Sequence, residues 1–177
     1  MSIIQVKDKK FKPYLSVQEI DKAVKKVADK LNNDFNGEDV LFISILNGSF
    51  MFASDLLKKI DLNCEISFVK IASYSGTKST GKVKKLIGLM QSLEGRNVVI
   101  IEDIIDTGNT LDKLLPTLIA EKPKSLKLCT LLFKPEAFKA NFKIDYIGLE
   151  IPNKFILGYG LDYDQLGRNL ADIYQIV

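Results

Sequence analysis

Apolar and polar positions along the chain fall into two rhythms. Val40 to Leu46, Val98 to Ile101 and Leu126 to Phe133 are short, nearly unbroken apolar runs, the pattern of strands buried on both faces. Glu65 to Tyr74 and Tyr146 to Ile151 read as further strands, the second ended by Pro152. Between them, apolar residues recur at helical spacing. Ile20, Val24, Val27, Ala28 and Leu31 mark one helix, and Ser16 with Glu19 has capping-box spacing at its start. Asn36-Gly37 breaks it. Phe52, Leu56 and Ile60 mark a second helix over Phe50 to Ile60, and Leu111, Leu114, Leu115 and Leu118 a third. Strands alternating with helices predict an α/β fold, with a parallel β-sheet core flanked by helices on both faces. Met1 to Tyr14 is polar, carries Lys7, Lys9, Lys10 and Lys12, and is expected to be an irregular arm lying on the domain.

Parallel sheets of this kind take ligands beyond the carboxyl ends of their strands. The chemically suggestive residues fall there: Leu46 to Ser49, Ser73-Tyr74, Glu102 to Thr110, and Lys134. Val98 to Leu111 organises the rest. The acids Glu102 and Asp103 are expected at the end of their strand, followed by the loop Asp106-Thr107-Gly108-Asn109-Thr110 and a helix. Loop N–H groups and a helix N-terminus attract an anion, and Gly108 permits close approach. Carboxylates beside a phosphate need another guest, and vicinal sugar hydroxyls suit them. The stretch therefore predicts a ribose 5′-phosphate, against the plainer alternative of solvated acids and a capped helix.

Asn47-Gly48-Ser49 is a second small-residue turn and a candidate for pyrophosphate, although an ordinary strand–helix turn has the same pattern. Ser75 to Lys82 reads as a hydrophilic lid rooted at Ser73 and Tyr74, or merely a surface hairpin. Gly76, Gly81 and Lys82 have the spacing of a nucleoside-triphosphatase loop, but Val83 occupies the metal-binding hydroxyl position. Pro152 to Val177 mixes aromatics, glycines and acids, as a wall for a flat base or as a packed meander. Gly158-x-Gly160 does not make a dinucleotide fingerprint.

Composition narrows the classes. The chain has 177 residues, enough for one domain with a substantial core, and 46% are hydrophobic. A net charge of +3 gives no large basic footprint, so no nucleic-acid partner is expected. No signal pattern or membrane-length apolar run stands out, which predicts a cytoplasmic protein without a membrane partner. The chain contains no histidine, which leaves acid–base chemistry to Asp, Glu, Lys or Tyr. Cys64 and Cys129 read as reduced, packed residues.

Glu102-Asp103-Ile104-Ile105-Asp106-Thr107-Gly108 resembles the phosphoribosyl-pyrophosphate (PRPP) motif of type I phosphoribosyltransferases, in the form of the hypoxanthine-guanine branch. Pro152 to Arg168 resembles that branch's base-binding hood, and the likeness runs from about Val40 to Arg168. The resemblance implies one domain with a core at about 16–151 and a small hood made by about 152–177 and the N-terminal arm. It implies purine salvage: transfer of a phosphoribosyl group from PRPP to hypoxanthine or guanine, giving IMP or GMP and pyrophosphate. It assigns Asp106 as general base, with Asp106, Thr107, Gly108, Asn109 and Thr110 around the 5′-phosphate. Glu102 and Asp103 take the ribose, and with Asp162 they position Mg²⁺. Leu46, Asn47, Gly48 and Arg168 face pyrophosphate. Asn47 stands where the family has lysine, so a backbone role remains there. Ser73 and Tyr74 start the closing loop. Lys154 donates to the purine 6-oxo group with help from Lys134, Phe155 stacks on the ring, and Ile156 and Asp162 read its edge through their backbones. A dimer or tetramer is expected from relatives. The alternatives are a xanthine-preferring enzyme and a non-catalytic regulator that binds PRPP or a nucleotide.

Overall fold

The computed structural model describes residues 2–71, 86–89 and 91–177. Ser73, Tyr74, the lid and the Gly76-Gly81-Lys82 pattern lie outside the described residues. Elements are numbered among the described residues: β1 (Ile4–Val6), β2 (Lys9–Leu15), α1 (Val17–Asp34), β3 (Val40–Leu46), α2 (Phe50–Leu57), β4 (Cys64–Ile71), β5 (Leu86–Ile87), β6 (Asn97–Ile105), α3 (Asn109–Ala120), β7 (Ser125–Phe133), β8 (Tyr146–Glu150), β9 (Ile156–Leu157) and β10 (Ile173–Ile176).

The main sheet has the order β5-β4-β3-β6-β7-β8. From β4 to β8 every neighbouring pair is parallel, and β5 is antiparallel at one edge. This is the predicted α/β core. Its central strand shows why the apolar run needs no polar alternation. Val99 and Ile101 of β6 pack with α1 and α2, while Val98 and Ile100 pack with α3, so both faces are dry. In α1, the Ser16 N–H donates to Glu19 Oε2 at 2.8 Å and the Glu19 N–H donates to Ser16 Oγ at 3.3 Å, the reciprocal capping box.

The second sheet is antiparallel, in the order β1-β2-β10-β9. The expected irregular arm is therefore a β-hairpin that turns at Lys7, φ 51°. Its lysine density hides an alternation in which Ile4 pairs with Phe11, and Phe11 is fully buried. Strand β10 joins this hairpin to β9, so both chain ends build one hood.

Boundaries shift in two places that bear on the site. Strand β6 continues to Ile105 because β7 pairs with it as far as Phe133, so Glu102 and Asp103 lie within the strand and not past its end. Helix α2 stops at Leu57, and tight turns carry the chain from there to Ile60. Among the described residues, no helix is long and apolar enough to cross a membrane.

Candidate active site

The carboxyl ends of β3, β6 and β7 converge with the hood. After β6 the chain turns sharply through Asp106 and Thr107 to Gly108, whose φ of 83° favours glycine. A Cβ at Gly108 would lie 2.7 Å from Ala140 Cβ and 2.8 Å from the Phe138 ring. The loop is thus backed by the segment after β7, in which Phe138 and Phe142 pack edge to face at 5.3 Å. The Lys139 N–H donates to Thr107 O at 3.1 Å and ties the two together. This backing segment was not singled out from sequence, although its Phe138 and Phe142 beside small Ala140 are the visible signal. Residues Glu102 and Ile104 to Leu111 line a cavity of about 100 Å³ in front of the α3 N-terminus. Asn109 opens α3, and Thr107 Oγ1 accepts from its N–H at 3.4 Å. Backbone donors, a positive helix end and threonine hydroxyls thus face one cavity, chemistry that suits an anion.

A second convergence lies at the β3–α2 turn. The Leu46–Asn47 peptide bond is cis. Ser49 is buried, and its hydroxyl bonds to Ile45 O and lies 2.7 Å from Ser44 Oγ. A Cβ at Gly48 would overlap the Asp103 carboxylate, and a Cβ at Gly160 would collide with Gly48 O. Strand β6, the β3–α2 turn and the hood loop therefore meet at Gly48. Arg168 completes the junction, donating to Gly160 O at 2.7 Å and pairing with Asp162 at 2.6 Å.

Electrostatics distinguish the acids. Burial pushes the Glu102 carboxyl well above its ordinary range, and neighbouring Asp103 adds to that shift. Burial also raises Asp103 to about 6; Asp162 adds to the shift and Arg168 opposes it. Such acids ionise readily only with hydroxyl donors or a cation beside them. The expected metal set of Glu102, Asp103 and Asp162 does not gather, however. Among the described residues no three acidic side chains are grouped closely enough to hold an ion. Glu102 and Asp103 are consecutive in a strand and leave it on opposite faces. Both Asp162 oxygens are engaged, one by Arg168 and the other by the Gln165 N–H at 2.7 Å. The donors present are all oxygen, which suits Mg²⁺ held largely by substrate and water rather than by a protein cage.

The two candidate purine-contacting lysines separate clearly. Lys134 ends β7, is 6% exposed, and donates from Nζ to Asp106 Oδ2 at 2.8 Å. Lys154 is exposed, and among the described residues its ammonium has no hydrogen-bond partner. Of the two, only Lys134 is held beside the Asp106–Thr110 loop. Phe155 is 44% exposed, with its ring edge to face with Tyr163 at 5.9 Å and tilted against Phe11 at 6.2 Å. Ile156 is buried in β9 beside it. The hood therefore offers an open aromatic platform.

A larger cavity, about 640 Å³, lies elsewhere, at the amino end of the sheet. Glu38 is paired with Lys124 and Glu65 with Arg96 there, and Asp39 accepts from the Asn63 amide, so its charged groups are turned to one another.

Comparison with known proteins agrees with this geometry. The family model described as the phosphoribosyl transferase domain matches residues 12–164. A hypoxanthine-guanine phosphoribosyltransferase of Aquifex aeolicus is 36% identical over 174 residues, covering 97% of this chain and 98% of that protein. The Staphylococcus aureus protein of the same name is 43% identical over 160 residues, covering 90% and 89%. The crystal structure of a Bacillus anthracis hypoxanthine-guanine phosphoribosyltransferase superposes with a TM-score of 0.84 at 38% identity, covering 93% of this chain and 96% of that one. By sequence and by fold, the chain belongs to the phosphoribosyl transferase family, in its hypoxanthine-guanine branch.

Proposed function

We propose that this protein catalyses the branch reaction of purine salvage, with hypoxanthine or guanine and PRPP giving IMP or GMP and pyrophosphate. The reading rests above all on the Lys134–Asp106 pair, 2.8 Å apart and directly beside the phosphate loop.

In this reading, Thr107 to Thr110 hold the 5′-phosphate, while Glu102 and Asp103 hold the ribose hydroxyls. The turn Leu46-Asn47-Gly48 and Arg168 face the pyrophosphate. Phe155 stacks on the base, and the backbones of Ile156 and Asp162 meet its edge. Lys134 donates to the 6-oxo group. As N9 bonds to the anomeric carbon, the carbon–oxygen bond to pyrophosphate breaks, and the proton on N7 passes to the Asp106 carboxylate. Mg²⁺, when bound with PRPP, supplies charge neutralisation for the leaving group. Adenine presents an amino donor where Lys134 also donates, and two facing donors are left unpaired.

Asp106→Asn tests the assignment. Wild-type protein is expected to convert hypoxanthine and PRPP to IMP, with the variant slower by about 10²–10⁴-fold and still folded and able to bind IMP. Near-normal turnover in the variant would reject Asp106 as the base.

A further inference from the structure

The hood loop Gly158-Tyr159-Gly160 has three consecutive positive φ angles of 106°, 49° and 95°. Glycine enters that region freely, whereas a bulky aromatic does so only when its surroundings hold it there. Tyr159 is 2% exposed within the core cluster that includes α1 and α2. Its N–H donates to Leu170 O at 2.8 Å, and its hydroxyl donates to Asp55 Oδ2 at 2.6 Å. Burial and the Asp55 carboxylate push the Tyr159 hydroxyl far up, so it remains a proton donor. Burial opposes ionisation of Asp55, but bonds from Lys58 and Tyr159 hold its carboxyl below the ordinary range.

Asp55 belongs to α2, the helix that leaves the Asn47-Gly48-Ser49 turn. Gly160, the residue after Tyr159, rests on Gly48 O and accepts from Arg168. The hydroxyl–carboxylate bond therefore spans the two segments that meet at Gly48. A cavity of about 160 Å³ is lined by Val17, Ile20, Asp21, Asp55, Lys58, Lys59 and Tyr159, on the α1–α2 side of this bond. The base platform is secured by other means. Ile156 and Leu157 pair with β10, and the Ile176 N–H donates to Phe155 O at 3.0 Å.

We propose that Tyr159 is a positioning residue for the pyrophosphate end of the substrate: through Asp55 it fixes Gly160, and with it Arg168, against the Gly48 turn. This rests on the assignment of Gly48 and Arg168 to pyrophosphate made above. It is separable from stacking of the base, because the Phe155 platform is tied to β10 and the latch to α2.

Tyr159→Phe keeps the ring and removes only the hydroxyl. The KM for PRPP with Mg²⁺ is expected to rise about five- to tenfold, less than the full loss of a charged hydrogen bond because the bond acts on the substrate only through Gly160 and Arg168, with the KM for hypoxanthine unchanged. Asp55→Ala reproduces that split, and Asp55→Asn, which keeps an acceptor oxygen, restores most of the loss. The Tyr159→Phe, Asp55→Ala double variant is no worse than either single one, because both remove the same bond. A tyrosine that only packs the core would lower thermal stability without splitting the two KM values. An unchanged KM for PRPP, an equal rise in both, or Asp55→Asn as damaging as Asp55→Ala would overturn the proposal. Calorimetric binding of PRPP with Mg²⁺ reads the same variants without turnover. Wild-type protein inert toward hypoxanthine would thus count against the assigned reaction, and unchanged PRPP affinity in Tyr159→Phe against the latch.

Discussion

Lys134 follows the end of β7 and Lys154 lies between β8 and β9, and only Lys134 is buried. Lys134 is held by Asp106, and on the proposed reading it is the lysine that discriminates 6-oxopurines. Lys134→Met is expected to raise the KM for hypoxanthine roughly ten- to a hundredfold, the scale of a lost charged hydrogen bond. Lys154→Ala should leave that KM unchanged. Steady-state assays across hypoxanthine concentrations read both, and the reverse ranking would return the role to Lys154. Asp103 gives a prediction in pH. An acid raised to about 6 in the folded state binds its proton more tightly there than in the unfolded chain. Without ligand, wild-type stability should therefore fall as pH rises from the unfolded value of about 4 toward 6, and stay reduced above it. Asp103→Asn removes this ionisation. Its Mg²⁺-free melting temperature should exceed that of wild type at pH 7.5, with the gap closing near pH 4, while PRPP binding weakens. A gap independent of pH would contradict the assignment. The residue types of the site were legible in the sequence, because an acid pair, a small-residue loop and a lysine each carry a chemical reason. Their weights were not, since burial and pairing depend on which strands lie alongside.

At the scale of elements, helix α1 illustrates a local rule that tertiary structure leaves intact. Ser16 and Glu19 close the capping box that their spacing predicts. Ser16→Ala is expected to cost about 1 kcal/mol in denaturant unfolding, and a loss near zero would show that the cap adds nothing in this context. Strands β3, β6 and β7 were legible for a related reason, since continuous apolar runs have few alternatives to a doubly covered sheet. The N-terminal hairpin was not, because its polar positions are lysines and its partner, β10, lies at the opposite end of the chain. The extension of β6 through Glu102 and Asp103 was hidden likewise: charged residues look like a strand end until β7 is known to run beside them. The backing of Gly108 by Phe138 and Ala140 depends on a loop folding back, which no periodicity encodes.

Across the whole molecule, the main sheet gathers the Asp106–Thr110 loop, the Asn47-Gly48-Ser49 turn and Lys134 at the carboxyl ends of its strands, beside the antiparallel hood built from β1, β2, β9 and β10. Gly48 is where these parts touch: Asp103 from the sheet and Gly160 from the hood both pack on it. Such a layout suits the proposed reaction of two substrates, in which the sheet would hold sugar and pyrophosphate and the hood the flat base. The parallel order was legible from alternating strands and helices, whereas the meeting at Gly48 required the fold. The most direct test supplies purified protein with PRPP and Mg²⁺, offers hypoxanthine, guanine, xanthine and adenine separately, and follows nucleotide formation. Turnover of hypoxanthine and guanine with none of adenine is the predicted result. Turnover of adenine, of xanthine alone, or of no base while PRPP still binds would contradict the account.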